Sequence, residues 1–133
     1  MTLFPHASIR GLTTFAPPGA AGMADMLDGN AGILVAINAE KIANANPLIA
    51  DLTARHLGYP DGIGAVLALR RRGIKATRMA GADLWLTILR RYAGERSFLL
   101  VGSSEEVIQA VTKRLLQQYP GMQIGRASCR ERV

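Results

Sequence analysis

Asp61 is the residue whose surroundings most invite chemistry. It sits in Tyr59-Pro60-Asp61-Gly62-Ile63-Gly64, between a proline and two glycines and just ahead of an apolar run with helical spacing. Pro60 fixes its own φ and biases Tyr59 to extended backbone, so the carboxylate arrives off a strand end. Gly62 and Gly64 carry no Cβ, and a ligand can approach the main chain where the first N–H groups of a helix point outward unpaired. Such a strand–turn–helix junction is how an α/β fold binds an anionic group such as a diphosphate. An acid beside it is a candidate general base. A second reading stands next to this one, in which Asp61 only caps the helix and the glycines serve the turn. The glycines do not make a dinucleotide fingerprint, because Leu67 occupies the place of the third.

Other positions could meet charge. Asn38 follows the apolar run 33–37, and ligands of α/β sheets gather at the carboxyl ends of strands, so Asn38 and Asp61 are expected to share a crevice. A cap for the helix opening at Ala39 is the equal alternative. Arg78 precedes Ala80-Gly81-Ala82-Asp83, and Gly102-Ser103-Ser104 turns into a helix where Glu106 would complete a capping box to Ser103. His56 has no carboxylate or second histidine at ligand spacing and reads as a complement to a helix dipole. Arg70-Arg71-Arg72 reads in the same way, as a solvated helix end rather than a nucleic-acid patch.

The elements that must position these residues alternate. An extended stretch around 9–15 closes at Pro17-Pro18-Gly19, and Met23, Met26 and Leu27 fit one face of a short helix ended by Asp28-Gly29-Asn30. Residues 33–37 are apolar throughout, the pattern of a strand buried on both faces. Asn46-Pro47 begins a helix with Leu48, Ile49 and Leu52 inward, and Gly73 stops the helix after Asp61. Leu84, Trp85, Ile88, Leu89 and Tyr92 form an apolar stripe that puts Trp85 in the core. Residues 97–101 are a second all-apolar strand, followed by a helix burying Val107, Ile108, Val111, Leu115 and Leu116 before Tyr119-Pro120-Gly121. Strand and helix alternating through short glycine-bearing joints predict an α/β fold, a Rossmann-like parallel sheet with helices on both faces.

Composition narrows the partners. At 133 residues the chain is one domain or a piece of one, and 49% hydrophobic residues suffice for a core. Aromatic residues make up only 5%, which argues against surfaces that stack on bases. The formal charge is +6, but residues 124–133, IGRASCRERV, have no hydrophobic period, and one choice of codons for them reproduces a common short-read sequencing adapter. This tail is set aside from fold reasoning, leaving 1–123 as the N-terminal part of the domain. Without Arg126, Arg130, Arg132 and Glu131 the charge falls by two. Cys129, the single cysteine, goes with them, which removes disulfides, thiolate metal sites and a cysteine nucleophile. Residues 1–15 hold Pro5, His6 and Arg10 where a secretory signal needs an unbroken apolar core, and no run has membrane-spanning length. A cytoplasmic location is expected.

The order of blocks is more informative than any one of them. Val35-Ala36-Ile37-Asn38-Ala39-Glu40-Lys41, Pro60-Asp61-Gly62-Ile63-Gly64, Arg78-Met79-Ala80-Gly81-Ala82-Asp83-Leu84, Leu99-Leu100-Val101-Gly102 and Tyr119-Pro120-Gly121 follow one another as in the WecG/TagA/CpsF glycosyltransferases, which the chain resembles over residues 33–123. VAINAEK and AGADLW draw it toward the enterobacterial-common-antigen branch, the UDP-N-acetyl-D-mannosaminuronic acid transferases. The resemblance implies inverting transfer of N-acetylmannosamine or its uronic acid from a UDP-sugar to the GlcNAc of an undecaprenyl-diphosphate-linked intermediate. It implies Asp61 as the base. It also implies substrate contacts at Asn38, Gly62, Arg78, Gly81, Asp83, Gly102 and Ser103, with Arg78 offsetting charge on the departing diphosphate. The expected partners are the UDP-sugar donor and the polyprenyl-diphosphate-linked acceptor, met at the inner face of the cytoplasmic membrane, with homo-oligomerisation left open and no nucleic acid.

The sequence departs from the family pattern at two places and stops short at a third. Ala36 stands where some members carry a threonine proposed to assist catalysis, and Ser103-Ser104-Glu105 replaces a more usual Gly-Lys-Pro. The second half of the family's catalytic region, with nucleotide contacts and a membrane-docking segment, lies beyond the resemblance. No carboxylate pair stands at metal spacing near Asp61, so no metal or cofactor is expected, and helix ends with Arg78 would carry the diphosphate charge. The competing readings are a non-catalytic nucleotide-binding module using the Asp61 and Gly102 turns, an inactive gene fragment, and a basic RNA-binding domain resting on Arg70–Arg72, Arg90 and Arg91.

Overall fold

The computed structural model describes residues 4–28 and 31–129, so Gly29 and Asn30 of the expected first helix end lie outside the described residues. The chain divides into two compact units, Met1–Ile88 and Leu89–Val133.

The first unit opens with a hairpin of β1 (His6–Ile9) and β2 (Leu12–Phe15), antiparallel, with Ile9 opposite Leu12. One extended stretch was expected here, and two strands are found. The turn is Arg10-Gly11, with φ of 49° and 87°. Positive φ at both central residues is what a two-residue hairpin turn of matching twist requires. Arginine is an uncommon first residue for it, and the turn leaves no signal in an apolar pattern.

Helix α1 (Ala20–Leu27) buries Met23 and Met26, as its spacing predicts, while Leu27, expected on the same face, is half-buried and Ala24 is buried instead. Strand β3 (Leu34–Ile37) pairs parallel with β4 (Leu57–Pro60), with Ile37 opposite Pro60. Between them run α2 (Ala39–Ala43) and α3 (Pro47–Arg55), the latter capped by Asn46, whose side chain accepts from the Ile49 N–H. Burial on both faces of β3 is not observed: Ile37 is fully buried, its neighbours are half-buried and Ile33 is exposed. In α3 the expected inward Leu48 is 69% exposed, and the residue held in the interior is Thr53. Thr53 Oγ1 accepts from the Thr13 N–H at 3.1 Å and donates to the Ala50 carbonyl at 3.0 Å. A polar anchor to the hairpin therefore sets how α3 is turned. Nearby, a β-carbon on Gly58 would overlap the Thr13 carbonyl oxygen, so β4 can lie this close to β2 only with glycine there.

Helix α4 (Ile63–Arg71) buries Val66 and Leu69 against Ile9, Ala16 and Ala76, and Ala65 against Leu12 and Ile37, and Gly73 ends it at φ 77°. Residues 74–80 then run extended beside β4, the Met79 N–H donating to the Pro60 carbonyl. Helix α5 (Gly81–Tyr92) begins there. Its Leu84 packs with Met23, Met26, Tyr59 and Met79, whereas Trp85, expected in the core, is 40% exposed. The helix turns on the Leu84–Ile88 line, and Trp85 falls outside it.

The second unit takes in the end of α5, β5 (Phe98–Val101), α6 (Glu105–Gln118) and β6 (Ile124–Ala127), around a core of Leu89, Leu115 and Met122. Residues 124–127, set aside from the domain by sequence, pair parallel with β5, Phe98 opposite Ile124. Leu99 and Val101 are each 67% exposed, so β5 is not buried on both faces as its all-apolar sequence suggests. Ile108, Thr112 and Leu115 form the buried line of α6, while Val107 and Leu116 are largely exposed. The architecture is mixed α/β with parallel strand pairs and helices, consistent with a Rossmann-like fold.

Candidate active site

The site grows from the parallel pair β3–β4. The Asp61 N–H donates to the Ile37 carbonyl at 2.9 Å, extending the ladder one residue beyond Pro60. Asn38 and Asp61 therefore leave the sheet side by side, each at the start of a helix. A β-carbon on Gly64 would stand 2.9 Å from the Ala39 Cβ, so the glycine lets α2 and α4 begin in contact. Two adjacent parallel strands ending at two adjacent helix starts form the crevice in which α/β folds bind ligands.

Asp61 is not the cap of α4. The N-cap residue is Gly62, at φ 130° and ψ 159°, and no side chain caps that helix. With a positive φ that L side chains avoid, Gly62 turns the chain so that the carboxylate of Asp61 stands off the helix end. The first N–H groups of α4 are left for a ligand. Of the two sequence readings, capping is removed for Asp61. For Asn38 it is realised: Oδ1 accepts from the Lys41 N–H at 2.9 Å, leaving the amide NH2 as the group that can meet a substrate.

The third wall comes from the chain leading into α5. A β-carbon on Gly81 would lie 3.0 Å from the Tyr59 hydroxyl and 3.7 Å from Asp61 Oδ2. Both oxygens thus converge on the same small space, which only a glycine leaves open. Tyr59, 6% exposed, was not among the residues expected at the site. Its signal was present as the tyrosine before Pro60, two residues from Asp61. Burial, and then the nearby Asp61 carboxylate, push the phenol above its ordinary pKa, which keeps it protonated and a hydrogen-bond donor.

Arg78 is exposed, one residue before the Met79 that is bonded to Pro60, and makes no ion pair with a described residue. Its guanidinium is uncommitted, and the Met79–Pro60 bond fixes its backbone beside the end of β4. Asp83 is exposed in the first turn of α5, two residues past Gly81. Residues that far apart on a helix do not share a face, so the structure does not bring Asp83 to the space between Gly81 and Asp61.

Gly102 and Ser103 belong to the second unit. Both have positive φ, 135° and 59°, and the cap of α6 is Ser104, which accepts from the Val107 N–H. The capping box expected at Ser103 and Glu106 does not form: the left-handed turn at Gly102-Ser103 moves the cap to Ser104, and the third residue of the helix is then Val107, which has no side-chain acceptor to return the bond. Glu105 and Glu106 fill the first turn of α6, and Gln109, Ser128 and Arg126 hold the Glu105 carboxyl below its usual range. This helix end already has its negative charge. His56 accepts from the Ile33 N–H through Nδ1 at 3.3 Å, so it ties α3 to the start of β3 in addition to closing the helix.

No group of three or more His, Cys, Asp or Glu side chains among the described residues is placed to hold a metal ion. No helix of the described residues is long and apolar enough to cross a membrane. A carboxylate freed from capping, a donor phenol beside it, unpaired helix N–H groups and an uncommitted arginine suit the transfer of a group that leaves as an anion. Residues 18–130 match the model of the glycosyl transferase WecG/TagA/CpsF family, and the chain belongs to that family of glycosyltransferases of cell-envelope polysaccharide synthesis.

Proposed function

We propose that the protein transfers N-acetylmannosamine or N-acetylmannosaminuronic acid from a UDP-sugar to the GlcNAc of an undecaprenyl-diphosphate-linked acceptor, with inversion at the anomeric carbon. The observation that carries the reading is that Asp61 stands at the β3–β4 strand ends with its capping duty taken by Gly62. The acceptor hydroxyl oxygen attacks the anomeric carbon and gives its proton to the Asp61 carboxylate. The bond from that carbon to the UDP oxygen breaks on the opposite face, and UDP leaves with the electron pair. The N–H groups opening α4 and the Arg78 guanidinium receive the charge that develops on the diphosphate.

Asn38 contributes its amide NH2 to a substrate hydroxyl, Gly62 shapes the turn, and Gly81 keeps the acceptor's path to Asp61 open. Asp83, Gly102 and Ser103 enter as substrate contacts on the resemblance alone. The division at residue 123 and the membrane-surface location, cytoplasmic and peripheral, are likewise part of the proposal. Because Ala36 provides no hydroxyl where some relatives have threonine, Asp61 acts without a second side-chain proton carrier from β3.

The test is a transfer assay in which UDP-N-acetylmannosamine and UDP-N-acetylmannosaminuronic acid are offered in turn with a GlcNAc-diphosphate-lipid acceptor. A lipid-linked disaccharide of inverted anomeric configuration is expected from one of them. Retention of configuration, or sugar transfer to water alone, would contradict the assignment.

A further inference from the structure

Helix α4 has a second face that the reaction does not use. Ala65, Val66 and Leu69 point inward, while Ile63 and Leu67 are 61% and 51% exposed. Ile63, Leu67, Arg70 and Arg71 are spaced i, i+4, i+7 and i+8, so they form one continuous outer stripe. Alongside it lies an open depression of about 610 Å³ lined by Gly64, Leu67, Ala68, Arg70 and Arg71. The stripe is aliphatic at the end near Asp61 and cationic at the other.

The three arginines differ in their commitments. Arg70 donates to the Ala76 carbonyl at 3.2 Å and Arg72 to the Ser8 carbonyl, each with one guanidinium nitrogen. Arg71 makes no ion pair or hydrogen bond with a described residue. Helix α4 carries no acidic residue, so nothing on it neutralises this end.

We propose that the outer stripe of α4 docks on an anionic lipid bilayer surface, with Ile63 and Leu67 entering the headgroup boundary and Arg71, flanked by Arg70 and Arg72, meeting lipid phosphates. Aliphatic side chains beside arginine suit a phospholipid interface, where an apolar layer and anionic charge lie within a few ångströms of each other. They suit RNA poorly, because no aromatic ring stands on this face for a base to stack on. They suit a symmetric second copy poorly too, because the face offers arginine to arginine with no acid between them.

The inference draws on the proposed function only for its purpose, which is to bring the lipid-linked acceptor to the α4 end where Asp61 stands. The test uses neither donor nor acceptor, so the two can fail separately. The full chain is sedimented with vesicles of phosphatidylcholine alone, and with vesicles of phosphatidylcholine and phosphatidylglycerol in equal parts. Leu67→Gln and Arg71→Gln are run beside it, with circular dichroism confirming the fold of each. The expected result is salt-sensitive binding to the anionic vesicles only, weakened roughly fivefold by Arg71→Gln and on the order of tenfold by Leu67→Gln. Failure to bind either vesicle would overturn the inference. So would anionic-vesicle binding that both variants leave unchanged, which places the docking surface elsewhere. Self-association that Leu67→Gln abolishes, without vesicle binding, would assign the face to a second copy instead.

Discussion

Gly81 lies against Asp61: a β-carbon at Gly81 would stand 3.7 Å from Asp61 Oδ2 and 3.0 Å from the Tyr59 hydroxyl. The start of α5 is therefore part of the wall around the carboxylate. Alanine at 81, the first residue of α5, would press on a buried phenol. Gly81→Ala is expected to melt within a few degrees of the parent by circular dichroism and to slow transfer, because the added methyl stands in van der Waals contact with Asp61 Oδ2 in the space the acceptor must enter. An unchanged rate would show that this space is not on the substrate's path.

Tyr59 makes the electrostatics of this wall measurable. Burial and the Asp61 charge both favour its protonated form, so its folded pKa lies above the unfolded value of 10.0. In that direction the native state holds the proton more tightly. The stabilisation is complete below the unfolded pKa and is lost as pH rises through the folded one. Unfolding by denaturant should therefore become easier above about pH 10, and less steeply so in Tyr59→Phe. Asp61→Asn removes the second cause and leaves the first, so the phenolate absorbance that Tyr59→Phe eliminates should appear at lower pH in Asp61→Asn than in the parent. An unmoved titration would mean that the carboxylate does not face the phenol.

Thr53 is the polar pin between α3 and the hairpin. Thr53→Val keeps the shape of a buried side chain but leaves the half-buried Thr13 N–H without its 3.1 Å acceptor. A loss of about 2 kcal/mol is expected from urea unfolding. A loss within a few tenths would mean that water reaches Thr13.

Gly58 has no such latitude. Its Cβ would occupy the space of the Thr13 carbonyl oxygen, which belongs to backbone and cannot rotate aside. Gly58→Ala should cost about 3 kcal/mol or prevent folding, and an unperturbed melting curve would contradict the close approach of β2 and β4.

The parts legible in the sequence were those set by local chemistry. Asn46-Pro47, Asp28, Gly73 and the alternation of strands and helices mark element ends through capping and φ restrictions that act within a few residues. The site junction at Pro60-Asp61-Gly62 was legible for the same reason. What escaped was set by tertiary context. An apolar run such as 33–37 or 98–101 specifies a strand but not how many of its faces are covered, and Leu99 and Val101 remain exposed. Leu48 and Trp85 fit a helical stripe as well as their neighbours do. It is the Thr53 hydrogen bond that turns one helix, and the packing of Leu84 on Met23, Met26, Tyr59 and Met79 that turns the other. The place of Tyr59 beside Asp61 was missed because a residue inside a strand reads as core until the chain from 79 to 81 is laid against it.

The measurement that bears most directly on the account is the comparison of donor binding and sugar transfer in Asp61→Asn, a change that keeps the shape of the side chain and removes its capacity to take a proton. With Gly62 as the cap of α4, the substitution leaves the helix start intact. UDP-sugar affinity by calorimetry should stay within a few fold of the parent, while formation of the lipid-linked disaccharide falls by about 100- to 10,000-fold, the usual contribution of a positioned base. Turnover at the parent rate with normal donor binding would remove Asp61 from the chemistry and contradict the mechanism built on it.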